Sequence, residues 1–157
     1  MHIELRESYA MNILKRFKFQ EDIDELTNNG ILLPCLSSPV DLDGYRFAFE
    51  SENINNHKPV YKQDPKRLVS AQENNKLTTS GYALSCFEND SKAILSYESI
   101  CKIIKLFPKT AGDSLFYGKL IAEDGLVTDF STSGHYDLYE YNDFEPSLRF
   151  LFKEKLR

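Results

Sequence analysis

The hexapeptide YRFAFE, residues 45–50, alternates aromatic side chains with other residues, and this period points to a sheet-containing fold. Successive side chains of an extended chain point to opposite faces. The three aromatic residues therefore share one face, and Arg46 lies on the other with Ala48 and Glu50. This pattern predicts a half-buried strand.

Further strands are predicted on the C-terminal side of this segment. YDLYEY at 136–141 alternates in the same way, and YALSCF at 82–87 is rich in strand-forming residues. Two apolar runs within residues 114–130 flank Asp124-Gly125, a dipeptide typical of hairpin turns, so we expect these runs to pair with each other. Residues 147–156 predict a closing strand or a short helix.

Two segments show helical spacing of apolar residues. The first covers residues 4–28, and Asn-Asn-Gly at 28–30 supplies a typical helix stop. The second follows Asn89 or Asp90, either of which can cap a helix N-terminus, and it ends before Pro108. One stripe of this second helix is formed by Ile94, Tyr97, Cys101 and Ile104.

These elements predict an α+β fold: a single domain with a mostly antiparallel sheet and two or three helices. The chain has 157 residues, close to the commonest domain size, and can bury a core without disulfides. Residues 1–30 are predicted to form a helical N-terminal part. Residues 51–80 are polar, contain two prolines and many asparagines, and predict a long irregular loop.

Composition excludes several classes of function. A net charge of −5 argues against general nucleic-acid binding, which needs clustered cations. No run of apolar residues approaches the roughly 20 that a membrane span requires. Glu4 and Glu7 precede any apolar run, which argues against a secretory signal, so a cytoplasmic protein is expected.

The three cysteines are expected to be reduced, because their number is odd and their spacing shows no CxxC motif. The histidines are far apart in sequence, and no metal site is predicted. The chain contains no GxGxxG, GxxxxGK[ST], HExxH or GxSxG motif.

His135 is the first candidate catalytic residue. It follows Ser133-Gly134 in the segment STSGHYDLYEYND, residues 131–143. One interpretation is a turn residue that bonds to neighbouring backbone. The other is a proton donor, phosphate contact or ligand partner at the end of a strand, where a pKa near neutrality is useful. The following acids, Asp137 and Glu140, fall on opposite faces of a strand, which disfavours a paired acid–base function and favours surface ion pairs.

The predicted loop contains a cationic cluster. Lys58, Lys62 and Arg67 lie within ten residues of one another, together with His57 and Lys66. Such a cluster can bind a phosphate, a nucleotide or an acidic partner protein. Alternatively, these side chains are solvated and serve solubility.

The order of elements in the second half resembles a known family. GYALSCFENDSKAILSY (81–97), LFYGKLI (115–121) and GHYDLYEYNDFEPSLRFLF (134–152) are similar in layout to the NAD-binding half of ADP-ribosyltransferase domains of the poly-ADP-ribose polymerase type. The resemblance implies that a histidine and a tyrosine hold NAD and that a glutamate near the late strand activates the ribose. Tyr97 is the position carried over, as a second candidate catalytic residue. At the glutamate position this chain has His135 or Tyr136.

Two functions follow from these observations. The first is a small binding or regulatory domain that acts through a protein partner, for example a toxin-neutralising protein. The second is an ADP-ribosyltransferase-like enzyme or a ligand-binding domain that uses NAD or a phosphorylated nucleotide. Its pocket would be formed by Tyr82, Ser85, Tyr97 and His135, with Lys58, Lys62 and Arg67 on the phosphates. The ligand hypothesis requires that His135 face Ser85 or Tyr97 in a concave pocket covered by residues 51–80.

Overall fold

A six-stranded antiparallel sheet organises residues 15–157, the part of the chain that the computed structural model describes. The order of strands across the sheet is β4-β5-β2-β1-β3-β6. Their bounds are β1 (Leu42–Ala48), β2 (Leu84–Phe87), β3 (Ser114–Leu120), β4 (Gly125–Val127), β5 (His135–Glu140) and β6 (Leu151–Lys155).

Helices cover parts of both faces and the ends of this sheet. Within residues 15–157, three helices have nine residues or more: α1 (Gln20–Asn28), α3 (Pro65–Glu73) and α4 (Asp90–Ile103). Single turns form α2 (Val60–Gln63), α5 (Phe107–Thr110) and α6 (Pro146–Arg149). The α+β class and the mainly antiparallel sheet in one compact domain are therefore confirmed. None of these helices combines the length and apolar character that a membrane span requires.

The N-terminal helix is shorter than predicted. Within the predicted segment 4–28, only α1 is helical among the described residues, and Phe17 instead forms a bridge with Tyr141 of the sheet edge. The remainder of that prediction, residues 4–14, lies outside the described residues. The predicted cap of α4 is confirmed, because the Asn89 side chain accepts a hydrogen bond from the Lys92 backbone N–H at 2.8 Å.

Strand β1 has the alternation that its sequence predicts, but both of its faces are covered. Arg46 and Ala48 are only 6% and 1% exposed, so they lie on the more buried face. The aromatic face is half-buried and packs on α4, where the rings of Phe47 and Tyr97 are 5.0 Å apart. Helix α4 covers the aromatic face of β1. The opposite face, which carries Ala48, contributes to the main core.

The predicted hairpin between β3 and β4 is wrong. β3 pairs with β1 on one side and with β6 on the other, so neither of its edges is free for β4. β4 pairs with β5 instead. The Asp124 carboxylate accepts a hydrogen bond from the Ile121 backbone N–H, which forms a turn that carries the chain to a distant strand.

The sheet is curled, as the short connection from β3 to β4 requires. Four strand-to-strand steps separate β3 from β4, about 19 Å in a flat sheet. Residues 121–124 cross this separation while forming a turn, so the two strands must approach each other. Arg149 of α6 bridges the gap, because its guanidinium donates to the Lys119 carbonyl and to the Asp124 carboxylate.

Residues 51–80 are not the irregular loop that their composition predicts. They contain α2, α3 and the start of a 3₁₀ turn, Thr79–Tyr82. Asp64 caps α3 by accepting from the Lys66 backbone N–H, and Pro65 occupies its first turn. No residue of α3 is fully buried, so its polar sequence reflects solvent exposure and not a lack of structure.

Replacing Gly118 with alanine should destabilise the closed end of the sheet. A Cβ at this position would lie 2.6 Å from the Arg149 carbonyl oxygen, so α6 would have to move away from β3. We expect the free energy of unfolding to fall by about 1–3 kcal/mol in urea denaturation. Lys119→Ala is the matched control, since the neighbouring side chain is exposed and should change stability by less than about 0.5 kcal/mol. Equal stabilities of the two variants would contradict the close approach of α6.

Candidate functional site

A cleft of 940 Å³ opens beside the region where β1 and β2 separate. These strands pair at a single position, Tyr45 opposite Phe87. The cleft is bounded by β2 and β5, by the segment containing α2 and α3, and by α4 and α5. Its polar lining includes Arg46, Lys58, Arg67, Ser85, His135 and Asp137, and its apolar lining includes Phe47, Phe87, Leu95, Ile100 and Phe107.

Strand register brings Ser85, His135 and Asp137 together. Ser85 of β2 lies directly opposite Asp137 of β5, and His135 precedes Asp137 by two positions on the same face. The Ser85 Oγ is 2.6 Å from the His135 Nε2, and an Asp137 Oδ1 is 3.5 Å from that same nitrogen. The structure therefore places His135 against Ser85 in a concave site.

These three side chains do not form a nucleophile triad. In a triad, the carboxylate holds Nδ1 of the imidazole and leaves Nε2 to accept the hydroxyl proton. Here the hydroxyl and the carboxylate both approach Nε2 of His135. The arrangement orients the imidazole and offers a hydroxyl, a ring nitrogen and a carboxylate to a ligand.

The Asp137 carboxyl is largely buried, and its side chain lies near His135 and Arg46. Burial raises its pKa, and the nearby charges of His135 and Arg46 oppose that rise. The predicted separation of Asp137 and Glu140 onto opposite faces of β5 is seen in their surroundings. The predicted surface ion pair is wrong for Glu140, because its carboxylate is buried, although it accepts a hydrogen bond at 2.7 Å from the Lys18 ammonium, whose side chain is partly exposed.

Arg46 is a buried cation at the inner end of the cleft. Its Nε donates to the His57 Nδ1 at 3.2 Å, and its Nη1 donates to the Ser85 carbonyl. The guanidinium carbon lies 5.6 Å from the centre of the Phe150 ring. Among residues 15–157, no carboxylate lies within 4 Å of this guanidinium. A buried charge of this kind is unfavourable unless an anion compensates it, and the Asp137 and Glu140 carboxylates attract this guanidinium only from beyond 4 Å.

His57 does not add to the positive charge of the segment. It is 8% exposed, and burial, together with the Arg46 charge, lowers its pKa to about 3. The imidazole is therefore neutral at physiological pH. The sequence places His57 in the cationic cluster because it precedes Lys58. This prediction is wrong, because the buried imidazole carries no charge.

Two of the three predicted phosphate-binding cations reach the cleft. Lys58 and Arg67 line it. Lys62 lies outside it, because its ammonium pairs with the Asp22 carboxylate of α1 at 2.9 Å and stacks over the rings of Phe19 and Tyr82. Its expected contact with a ligand phosphate is therefore not supported.

Neither Tyr82 nor Tyr97 lies in the cleft wall, contrary to expectation. Tyr82 is 5% exposed and packs edge-on against Tyr61, at a ring distance of 5.1 Å. Tyr97 is fully buried beneath the apolar side of the cleft, and its hydroxyl donates to the Gly112 carbonyl at 2.8 Å. Both are core aromatic residues outside the cleft lining.

Arg46 was missed because it appeared to be the solvent-facing residue of a half-buried strand. One signal was present in the sequence. Alternation places Arg46 between Gly44 and Ala48 on one face, and such small neighbours leave space for a long side chain. Its partners cannot be read from the sequence, because His57 and Ser85 are 11 and 39 residues away.

A second groove of 560 Å³ adjoins the cleft and shares His135 and Asp137 with it. Its outer rim is apolar: Leu32, Leu33 and Phe130 are 86%, 40% and 48% exposed. The two depressions therefore meet at the imidazole and the carboxylate of β5.

Comparisons of the chain with protein-family models, curated proteins and solved structures find no match. Within the part of the chain described, no group of three or more His, Cys, Asp or Glu side chains could hold a metal ion.

Acidification should destabilise the protein through His57. Between the folded pKa of about 3 and the ordinary value of 6.5, the unfolded state binds a proton that the folded state does not. The free energy of unfolding should therefore fall as pH drops through this window, by up to about 1.4 kcal/mol per pH unit. Urea denaturation at a series of pH values measures the slope.

His57→Asn is the control for this pH dependence, because asparagine does not titrate and tolerates the left-handed backbone at this position, where φ is 59°. The carboxylates titrate in both proteins, so the difference in slope isolates the imidazole. Identical slopes in wild type and variant would show that His57 titrates normally in the folded state.

Proposed function

We propose that the protein binds a small phosphorylated ligand in the cleft, of the class of NAD or ADP. The observation that carries this proposal is the Arg46 guanidinium, which is buried, lines the cleft and lacks a carboxylate within 4 Å among the described residues. A phosphate would compensate this charge. Guanidinium groups suit phosphates because their planar N–H donors match the oxygen geometry.

Two further cations support an anionic ligand. Lys58 and Arg67 belong to the segment that walls the cleft opposite the sheet, so positive charge borders the site from two elements. Electrostatic attraction between opposite charges is stronger in a partly enclosed cleft than in open water. The polar end of the cleft is thus complementary to a phosphate or diphosphate.

The other end of the cleft suits a planar ring. Phe47, Phe87 and Phe107 contribute aromatic surface there, and the rings of Phe47 and Phe87 lie 5.4 Å apart. Aromatic side chains favour stacked or edge-on contact with a base. The cleft volume of 940 Å³ lies within the range of about 300–1,000 Å³ that is typical of small-molecule sites.

Ser85, His135 and Asp137 would contact the central part of such a ligand. They offer donors and acceptors for sugar hydroxyls between the cationic and aromatic ends. NAD is the first ligand to test, because it combines a diphosphate, two sugars and planar rings, although among the described residues neither Tyr97 nor a glutamate lines this cleft. A cytoplasmic location is proposed with it, since the three cysteines are free thiols and the cytoplasm keeps thiols reduced.

Binding of a protein partner is the second proposal. It is supported by the apolar rim of the adjoining groove, formed by Leu32, Leu33 and Phe130, which resembles surfaces that other proteins cover. A stoichiometric complex recovered from a native lysate should be lost in Phe130→Asp and retained in Lys62→Ala. Retention in Phe130→Asp would exclude this groove as the interface.

Thermal denaturation with NAD, ADP, pyrophosphate and uncharged adenosine tests the ligand proposal. A ligand at 100 times its Kd adds about 2.7 kcal/mol of stability, which for this chain length raises Tm by about 5–10 °C. We expect shifts with the phosphorylated compounds and a smaller shift or none with adenosine. Lys58→Ala and Arg67→Ala should each weaken binding by about fivefold, corresponding to about 1 kcal/mol for an exposed charge-assisted contact.

Two controls separate ligand contacts from stability. Lys62→Ala removes a cation of the same segment outside the cleft and should leave ligand affinity unchanged. Tyr97→Phe removes a buried hydrogen bond and should lower Tm without changing affinity. No Tm shift with any phosphorylated compound at millimolar concentration would exclude the ligand proposal.

A further inference from the structure

His57 joins the cleft wall to the buried cation of the sheet. Its Nδ1 accepts from the Arg46 Nε at 3.2 Å. Because an arginine Nε can only donate, Nδ1 carries the lone pair and the imidazole proton is on Nε2. His57 thus presents a specific tautomer to Arg46.

Aromatic packing holds the His57 ring in place. The imidazole stacks on Phe150 at a centroid distance of 5.5 Å and meets Phe116 edge-on at 5.3 Å. The same Phe150 ring lies against the Arg46 guanidinium. The imidazole and the guanidinium are therefore held against one aromatic side chain as well as against each other.

The backbone at His57 adopts a conformation that histidine seldom has. Its φ is 59°, in the left-handed region, which costs about 1 kcal/mol for a residue with a Cβ. The preceding residue stabilises this conformation. Asn56 pairs with the backbone of Phe49, donating to its carbonyl at 2.9 Å and accepting from its N–H at 2.8 Å. The loop is thus tied to the end of β1 immediately before His57 turns inward.

The guanidinium combines several protein partners with a position in the cleft lining. Nε is engaged by His57 and Nη1 by the Ser85 carbonyl. The buried Cys86 thiol also lies close enough to interact with the guanidinium, and Arg46 lines the cleft. Lys58 follows His57 directly and lines the same cleft, and its carbonyl accepts from the Gln63 side chain at 2.6 Å, which fixes the start of α2.

We propose that His57 is a positioning residue that aims Arg46 into the cleft and aligns Lys58 with it. This inference rests on the proposed function, because the aimed group is the guanidinium that would bind the phosphate. His57 itself makes no contact with the ligand. Loss of its acceptor nitrogen would allow the guanidinium to rotate about its side-chain torsions, so the donors would no longer be preorganised for an anion.

Two substitutions separate the acceptor from the packing. His57→Asn keeps an acceptor near the position of Nδ1 and suits a left-handed backbone. His57→Phe keeps an aromatic ring between Phe116 and Phe150 but has no acceptor. The affinity for pyrophosphate, measured by calorimetry, should stay within about threefold of wild type in His57→Asn and fall about tenfold in His57→Phe, the loss of one charge-assisted hydrogen bond.

A double-mutant cycle distinguishes positioning from general destabilisation. Arg46→Lys removes the Nε–H that donates to His57 and replaces the planar fork with a single ammonium, so His57 can no longer orient a fork of donors. His57→Phe should therefore weaken pyrophosphate binding about tenfold in wild type but by less than about twofold in the Arg46→Lys background. Equal losses in the two backgrounds would overturn the proposal. If His57→Phe does not fold, His57→Gly, which accepts the left-handed backbone and lacks the acceptor, takes its place in the cycle.

A ligand-free measurement keeps this inference separable from the proposed function. The Arg46 Nε–H should give a slowly exchanging NMR signal in wild type and His57→Asn, and this signal should shift or broaden in the variant without the acceptor. An unchanged signal overturns the positioning of Arg46 by His57. If wild type binds no anion while the signal depends on His57, the proposed function fails and the orientation of Arg46 stands.

Discussion

Burial of the Arg46 guanidinium is the constraint on which the site and its surroundings depend. A cation removed from water must find acceptors, and here they are a neutral imidazole and a backbone carbonyl. The Ser85 carbonyl belongs to β2, at the level where that strand no longer pairs with β1. The arginine thus occupies a gap in the sheet and takes over a backbone acceptor that a neighbouring strand would normally satisfy.

The curled sheet separates two environments along the same strands. Tyr136 and Leu138 of β5 face the closed apolar side together with Leu84 and Phe150. His135 and Asp137 alternate with them and face the cleft. The two-residue alternation of β5 therefore supplies side chains both to the apolar core and to the polar lining of the cleft. The contacts of α6 and β6 with β3 lie on the side of the apolar core. They do not cover the cleft.

Local features of the sequence predict individual strands and helix caps. They do not predict which strands pair with each other. The alternation of 45–50 and 136–141 and the cap at Asn89 depend on neighbouring residues only, so the class of fold could be inferred. The Asp124-Gly125 dipeptide predicts a turn, and a turn forms nearby. It does not join two paired strands, because β6 occupies the edge of β3 that β4 would need. Tyr97 lies on an apolar helical stripe. The sequence pattern of such a stripe is the same whether its residues pack in the core or line a pocket. The role of Arg46 depends on His57 and Ser85, which no local pattern connects to it.

The position of β6 at the sheet edge has a consequence for biosynthesis. β6 follows every other strand in chain order, yet the residue immediately before it, Phe150, packs on both His57 and Arg46. On a translating ribosome, the earlier strands emerge with β3 exposed on one side and with the arginine lacking its aromatic support. The surroundings of Arg46 are thus complete only after Phe150 has emerged, so nascent chains that lack this residue would hold the arginine without its aromatic support and would be more open to proteolysis.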